Sequence, residues 1–139
     1  MSVCLFCNII SKQVPSHIVY ENANILAFLD IHPRSPGHTV VVPKAHARTI
    51  LEVEDTVGGG IWKGVKTVVA MIERALKPDG FTMGINHGSA SGQAVDHLHI
   101  HVIPRWMNDG GRSIHGVVDN PPRESLGVLA EKIRASGQP

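Results

Sequence analysis

The sequence has no excess of charge: 13 basic residues stand against 12 acidic ones, for a formal net charge of +1. Such a balance gives no electrostatic grip on a nucleic-acid backbone or an anionic membrane, so neither is expected as a partner. No apolar run reaches the ~18 residues of a membrane span. The first residues lack the charged start and long apolar segment of a secretory signal, and the expectation is a cytoplasmic protein. There are only two cysteines, Cys4 and Cys7. A disulfide framework is thereby excluded, because one bridge over two residues would constrain almost nothing. No internal repeat, low-complexity tract or linker divides the chain. Its 139 residues, 42% of them apolar, suit one domain with a packed core.

What is present begins with the cysteines themselves. A Cys-x-x-Cys pair admits three readings: a redox pair, two unrelated buried thiols, or half of a metal site whose other ligands lie elsewhere. Residues 5–11 read as a short helix carrying the pair. Residues 17–20 and 25–30 read as strands joined by a Glu-Asn-Ala-Asn turn. Residues 38–43 form a third strand, whose Thr-Val-Val-Val run suits burial on both faces. A long helix is expected from Asp55 or Thr56 to Leu76, with Ile61, Val65, Val68, Ile72 and Leu76 at three- and four-residue spacing. Gly58, Gly59 and Gly60 weaken its first turn, and fraying or a later start is expected there. Residues 81–86 and 97–104 read as two further strands around a small flexible loop at 87–94. A last helix is expected to follow Asn120, Pro121 and Pro122, with Leu129 and Ile133 on its inner face. The whole reads as α+β: an antiparallel meander of about five strands, one long helix, and short helices near each end.

Nine histidines are the unusual feature, and three alternate in His97-Leu98-His99-Ile100-His101. On a strand, alternate side chains share a face, so the three imidazoles line one side while Leu98, Ile100 and Val102 enter the core. All three on one metal ion is awkward, because the outer two lie ~13 Å apart on an ideal strand. An imidazole is, alternatively, a nucleophile that needs no strong base near neutral pH. The adjoining loop 88–93 can offer backbone N–H groups to phosphate oxygens.

The run Gly92-Gln93-x-x-x-His97-x-His99-x-His101-x-x-Pro104-Arg105 resembles the signature of the histidine-triad (HIT) family, in its Hint-like branch. Further blocks follow in order: Phe6-Cys7-x-Ile9-Ile10, Val19-Tyr20-Glu21, Ala27-Phe28-Leu29-Asp30-Ile31, Pro36-Gly37-His38-Thr39, Val42-Pro43-Lys44-x-His46 and Asn86-x-Gly88. The resemblance spans about residues 3–106 of a single domain, 1–139, and leaves a variable tail at 107–139. It implies a hydrolase acting at the α-phosphate of purine nucleoside phosphoramidates or adenylyl conjugates. His99 is the implied nucleophile, forming a nucleotidyl-histidine that water cleaves without a metal. His101 is implied to hydrogen-bond phosphate or leaving-group atoms. Gln93 and the backbone around Gly92 and Ala94 are implied to hold the phosphate, and His38 to orient the triad. For the nucleoside, the resemblance implies Asp30 at the ribose, Asn86 near ribose and phosphate, and Leu5, Phe6, Ile9, Phe28 and Ile31 around the purine.

It also implies a structural zinc, one per chain, on Cys4, Cys7, His46 and His97. A homodimer is implied as well, with Ile61, Trp62, Val65, Val69 and Met71 supplying more apolar positions than one helix face needs. One departure is Ala94, where the Hint-like branch often carries a serine. Two other activities stay open: dinucleoside polyphosphate hydrolysis, and a non-catalytic nucleotide-sensing scaffold.

Overall fold

A computed structural model describes residues 1–137. The chain forms two compact units, Met1–Asp109 and a second from Gly110 onward. In the first, helix α1 (Leu5–Ile10) is followed by strands β1 (Ile18–Glu21), β2 (Ile25–Leu29) and β3 (Thr39–Pro43). Helix α2 (Asp55–Leu76) then leads to β4 (Gly80–Gly84) and β5 (Ile100–Arg105). The strands form one antiparallel sheet in the order β1-β2-β3-β5-β4. The five antiparallel strands are as expected, and consecutive strands pair at every step but that from β3 to β4. After β3 the chain crosses through α2 to the far edge, and β5 returns to fill the place between β3 and β4.

Both faces of the sheet are covered, which is why β2 and β3 are apolar runs rather than alternating ones. Ile25, Ala27, Val41, Ile100 and Val102 pack on one face against Ile61, Val65, Val68 and Ile72 of α2. Leu26, Phe28, Val40 and Val42 pack on the other against Phe6 and Ile9 of α1. Pairing of Leu26 with Val42, Ala27 with Val41 and Phe28 with Val40 keeps the two sets in register.

Three further expectations change. The first turn of α2 is helical from Asp55 despite its glycines. Val57 packs against the core there, so tertiary contact holds what propensity alone would let fray. Ile61 and Val65, counted as surplus for a partner, are buried in this chain's own core, whereas Trp62 is 63% exposed. The catalytic-type strand starts at Ile100 rather than at residue 97. Before it, His97 N–H bonds to the Val95 carbonyl and Leu98 N–H to that of Ala47, at 2.8 and 2.6 Å. Even so, Leu98 joins Ile100 and Val102 on the α2 face, as alternation requires.

The second unit contains α3 (Leu126–Ala135). It starts later than Pro121-Pro122, because the Ser125 side chain accepts the Val128 N–H and caps it. Leu129 is half-buried, but Ile133 is exposed and α3 holds no buried residue, so its expected inner face is not buried.

Candidate active site and metal centre

Cys4 caps the N-terminus of α1 and Cys7 lies within it. His46 follows β3, and His97 precedes β5. Four ligand atoms from these distant segments lie within 4.8 Å of one another. A tetrahedral zinc with the usual bond lengths needs S···N separations of about 3.5 Å and N···N of about 3.4 Å. The chain gives 3.4 Å for Cys4 Sγ to His97 Nδ1, 3.4 Å for Cys7 Sγ to His46 Nδ1, and 3.6 Å for Cys7 Sγ to His97 Nδ1. The two Nδ1 atoms are 3.3 Å apart. On its other side the His97 ring donates from Nε2 to the Pro43 carbonyl at 2.8 Å. That bond puts the ring proton on Nε2 and leaves the Nδ1 lone pair facing the cysteines, an outer partner of the kind metal-ligating histidines have. The donor set and its spacing fit zinc.

The next two histidines have their protons placed differently by their neighbours. His99 donates from Nδ1 to the His97 carbonyl at 2.7 Å, so its Nε2 carries the lone pair. His38 accepts the Arg34 backbone N–H on Nδ1 at 3.1 Å, so its proton sits on Nε2 and points to His101 Nδ1, 2.9 Å away. His101 must then carry its own proton on Nε2. The His99 and His101 rings stand edge to face with centroids 5.1 Å apart. Side by side, the chain thus offers an unprotonated nitrogen and a hydrogen-bond donor.

Asp30 Oδ2 lies 3.5 Å from His38 Nε2 and 3.8 Å from His101 Nδ1. This trio also has ligand-like spacing. The Arg34 bond argues against a cation there, since it leaves His38 Nε2 protonated and without a lone pair. Burial, the charges of His99 and His38, and only partial opposition from Asp30 bring the His101 pKa down to about 4. Burial likewise lowers that of His38, with Asp30 opposing and Arg34 assisting.

Phe6 joins the two centres. Its ring meets His97 edge-on at 5.9 Å and His99 at 5.1 Å, with Phe28 behind it at 5.4 Å. Of the expected apolar wall, Phe6, Ile9 and Phe28 form one buried cluster, while Leu5 and Ile31 are exposed.

The loop after β4 is less simply placed. Gln93 accepts the Gly88 N–H on Oε1 at 2.8 Å and donates to the carbonyls of Arg48 and Val95 at 2.8 and 3.1 Å. Its amide braces the loop rather than extending freely toward the triad. Gly88 and Gly92 have φ of +82° and +92°, a backbone that side chains disfavour, which accounts for glycine at both places. Asn86 is half-buried; Gly92 and Ala94 are exposed. Arg34, the Pro43 carbonyl and the Arg48 carbonyl were not anticipated. Backbone acceptors leave no mark in a sequence, and Arg34 matters to His38 through its N–H, which almost any residue supplies.

A model of the HIT domain matches residues 11–108. The adenosine 5′-monophosphoramidase of Schizosaccharomyces pombe is 39% identical over 135 residues, which cover 97% of this chain and 93% of that protein. A crystal structure from Streptococcus mutans superposes with a TM-score of 0.86 at 34% identity, covering 99% of this chain and 87% of that one. A zinc-bound histidine triad family protein from Mycobacterium smegmatis has a TM-score of 0.70 at 29% identity, covering 96% and 97%. With its α+β sheet, its three alternating histidines and this match over most of its length, the chain belongs to the HIT family.

Proposed function

We propose that the protein is a nucleotide hydrolase that cleaves purine nucleoside phosphoramidates or related adenylyl conjugates at the α-phosphate. The observation that carries the reading is the proton placement: His99 presents a bare Nε2 beside the Nε2–H of His101. In the first step the His99 nitrogen attacks phosphorus, the phosphorus–nitrogen bond breaks, and the amine leaves after taking up a proton from solvent. In the second, water attacks phosphorus, loses a proton to solvent, and displaces His99 to release the nucleoside monophosphate. His101 donates a hydrogen bond to the oxygen where negative charge builds, electrostatic support that a neutral, preoriented donor supplies without rearrangement. Asp30 would accept the ribose hydroxyls, with Phe6, Ile9 and Phe28 beside the purine. Gln93 would act by holding the phosphate loop, whose backbone from Gly92 to Ala94 would meet the phosphate.

Cys4, Cys7, His46 and His97 would hold one zinc per chain. That ion would supply cross-linking of α1 to the segment before β5, and it takes no part in the chemistry. A homodimer would use exposed Trp62 on α2 together with the open edge of β4. Turnover of a fluorogenic adenosine phosphoramidate against a diadenosine polyphosphate tests the reading. Preference for the second identifies a dinucleoside polyphosphate hydrolase, and nucleotide binding without turnover of either identifies a sensing scaffold.

A further inference from the structure

At the turn between β2 and β3 lies a cavity of about 460 Å³, lined by Leu29, Asp30, Pro33, Arg34, Ser35 and His38 among others. It adjoins the catalytic-type pair, because Asp30 and His38 both belong to its wall and both face His101. The two charged groups on that wall, Asp30 and Arg34, do not pair. One Asp30 oxygen accepts the His32 N–H at 2.8 Å, and the other faces the two imidazoles at 3.5 and 3.8 Å with lone pairs left for a ligand hydroxyl. The Arg34 guanidinium has no hydrogen-bond or ion-pair partner among the described residues. Its backbone, in contrast, is fixed. Pro33 and Pro36 restrict φ on either side of it, and the Arg34 N–H is bonded to the ring of His38. The ring that sets the proton of His101 thus fixes the Arg34 backbone on the wall of the cavity, and the exposed side chain brings five unspent donors there.

We propose that Arg34 and this cavity form a subsite for a second anionic group, phosphoryl or sulfuryl, carried by a nucleotide in addition to its α-phosphate. The inference rests on the reading of Asp30 as the ribose-binding acid. Two positions on the ligand would place such a group there: the ribose 3′-oxygen, or the leaving-group side of the α-phosphate. Substituting Arg34 by anything but proline keeps the N–H that bonds His38, so side-chain and backbone roles separate cleanly.

The experiment is calorimetric titration of AMP, ADP and adenosine 3′,5′-bisphosphate into the wild type, Arg34→Met and Arg34→Lys. ADP carries the extra charge on the leaving-group side, and the bisphosphate carries it on the ribose. The wild type should bind one of these more tightly than AMP, and Arg34→Met should reduce that preference by about tenfold, as expected for one charge-assisted contact. Arg34→Lys should restore part of it. Whichever ligand shows the loss identifies the position of the group. Binding no tighter than that of AMP for both ligands, or a preference that survives in Arg34→Met, overturns the subsite. Turnover of adenosine phosphoramidate by the same wild-type preparation reports on the catalytic reading separately.

Discussion

His99 gives its Nδ1 proton to the carbonyl oxygen of His97 across 2.7 Å. A carbonyl can only accept, so this bond decides which nitrogen of the ring is nucleophilic. His99→Ala removes that nitrogen together with the buried ring that packs against Phe6 and His101. Turnover should fall by at least about a thousandfold, while nucleotide affinity stays within about tenfold. Rapid quenching with an adenylyl-labelled substrate should trap label on the wild type and none on the variant. Near-normal turnover by His99→Ala would falsify the covalent route.

For the metal centre, Cys7→Ser should lose zinc and melt several degrees lower, because binding energy that closes distant segments is folding energy. His99→Ala should keep both properties. Elemental analysis of protein purified without chelator, followed by thermal melts with and without chelator, checks this. A chain free of zinc that melts like the loaded one returns the cysteines to ordinary packing.

The pH response follows from His101. Its pKa of about 4 in the fold lies below the ordinary histidine value of 6.5. Between those values the unfolded chain binds more protons than the native one, so stability must fall as pH drops through that window. Each such group contributes up to about 1.4 kcal/mol per pH unit, and nothing above the unfolded value. Denaturant midpoints at pH 7 and pH 4.5 should therefore separate less in His101→Gln than in the wild type. By NMR, the His101 ring should remain mostly neutral at pH 5.5, and a largely protonated ring there sinks the argument.

Packing makes a sharper distinction among the glycines of α2. A Cβ at Gly64 would stand 2.7 Å from Ile25 Cγ1, so Gly64→Ala overpacks the joint between helix and sheet. It should cost about 1–3 kcal/mol. At Gly58 and Gly59 nothing lies within 4 Å, and alanine there should stabilise by roughly 0.5–1 kcal/mol through helix propensity. Urea midpoints of the three variants should fall on opposite sides of the wild type.

Trp62 is the large exposed apolar residue in the middle of α2. If it meets its counterpart in a two-fold pair, Trp62→Glu should convert a dimer to a monomer by light scattering at micromolar concentration. A monomeric wild type leaves this face without that role.

The triad was legible because three histidines at alternate positions have no packing rationale, and Cys4 and Cys7 because cysteines are so scarce, whereas His46 and His97 join them only through the family resemblance. Five strands and the long helix came from apolar spacing. The position of β5 between β3 and β4 did not, since local pattern carries no information about which strand a crossover returns to. Ile61 and Val65 were misplaced for a related reason: a helix whose apolar residues wrap widely does not reveal how much of its girth one sheet covers. Gln93 shows a third limit. Its residue type suits a phosphate, but whether its amide is free depends on the Gly88 N–H and the Arg48 carbonyl, which only the folded chain brings near it.

The central place of β5 gives the site two kinds of mobility. Hydrogen-bonded on both sides, to β3 and to β4, the strand bearing His101 has no free edge and can open only with the sheet. The loop from Gly88 to Gly92 forms a single 3₁₀ turn, held by contacts within itself and by the amide of Gln93. Amide exchange should accordingly be slow along residues 100–103 and fast across 89–92. On the proposed reading, substrate would enter by the loop, while the His101 ring on β5 keeps its place.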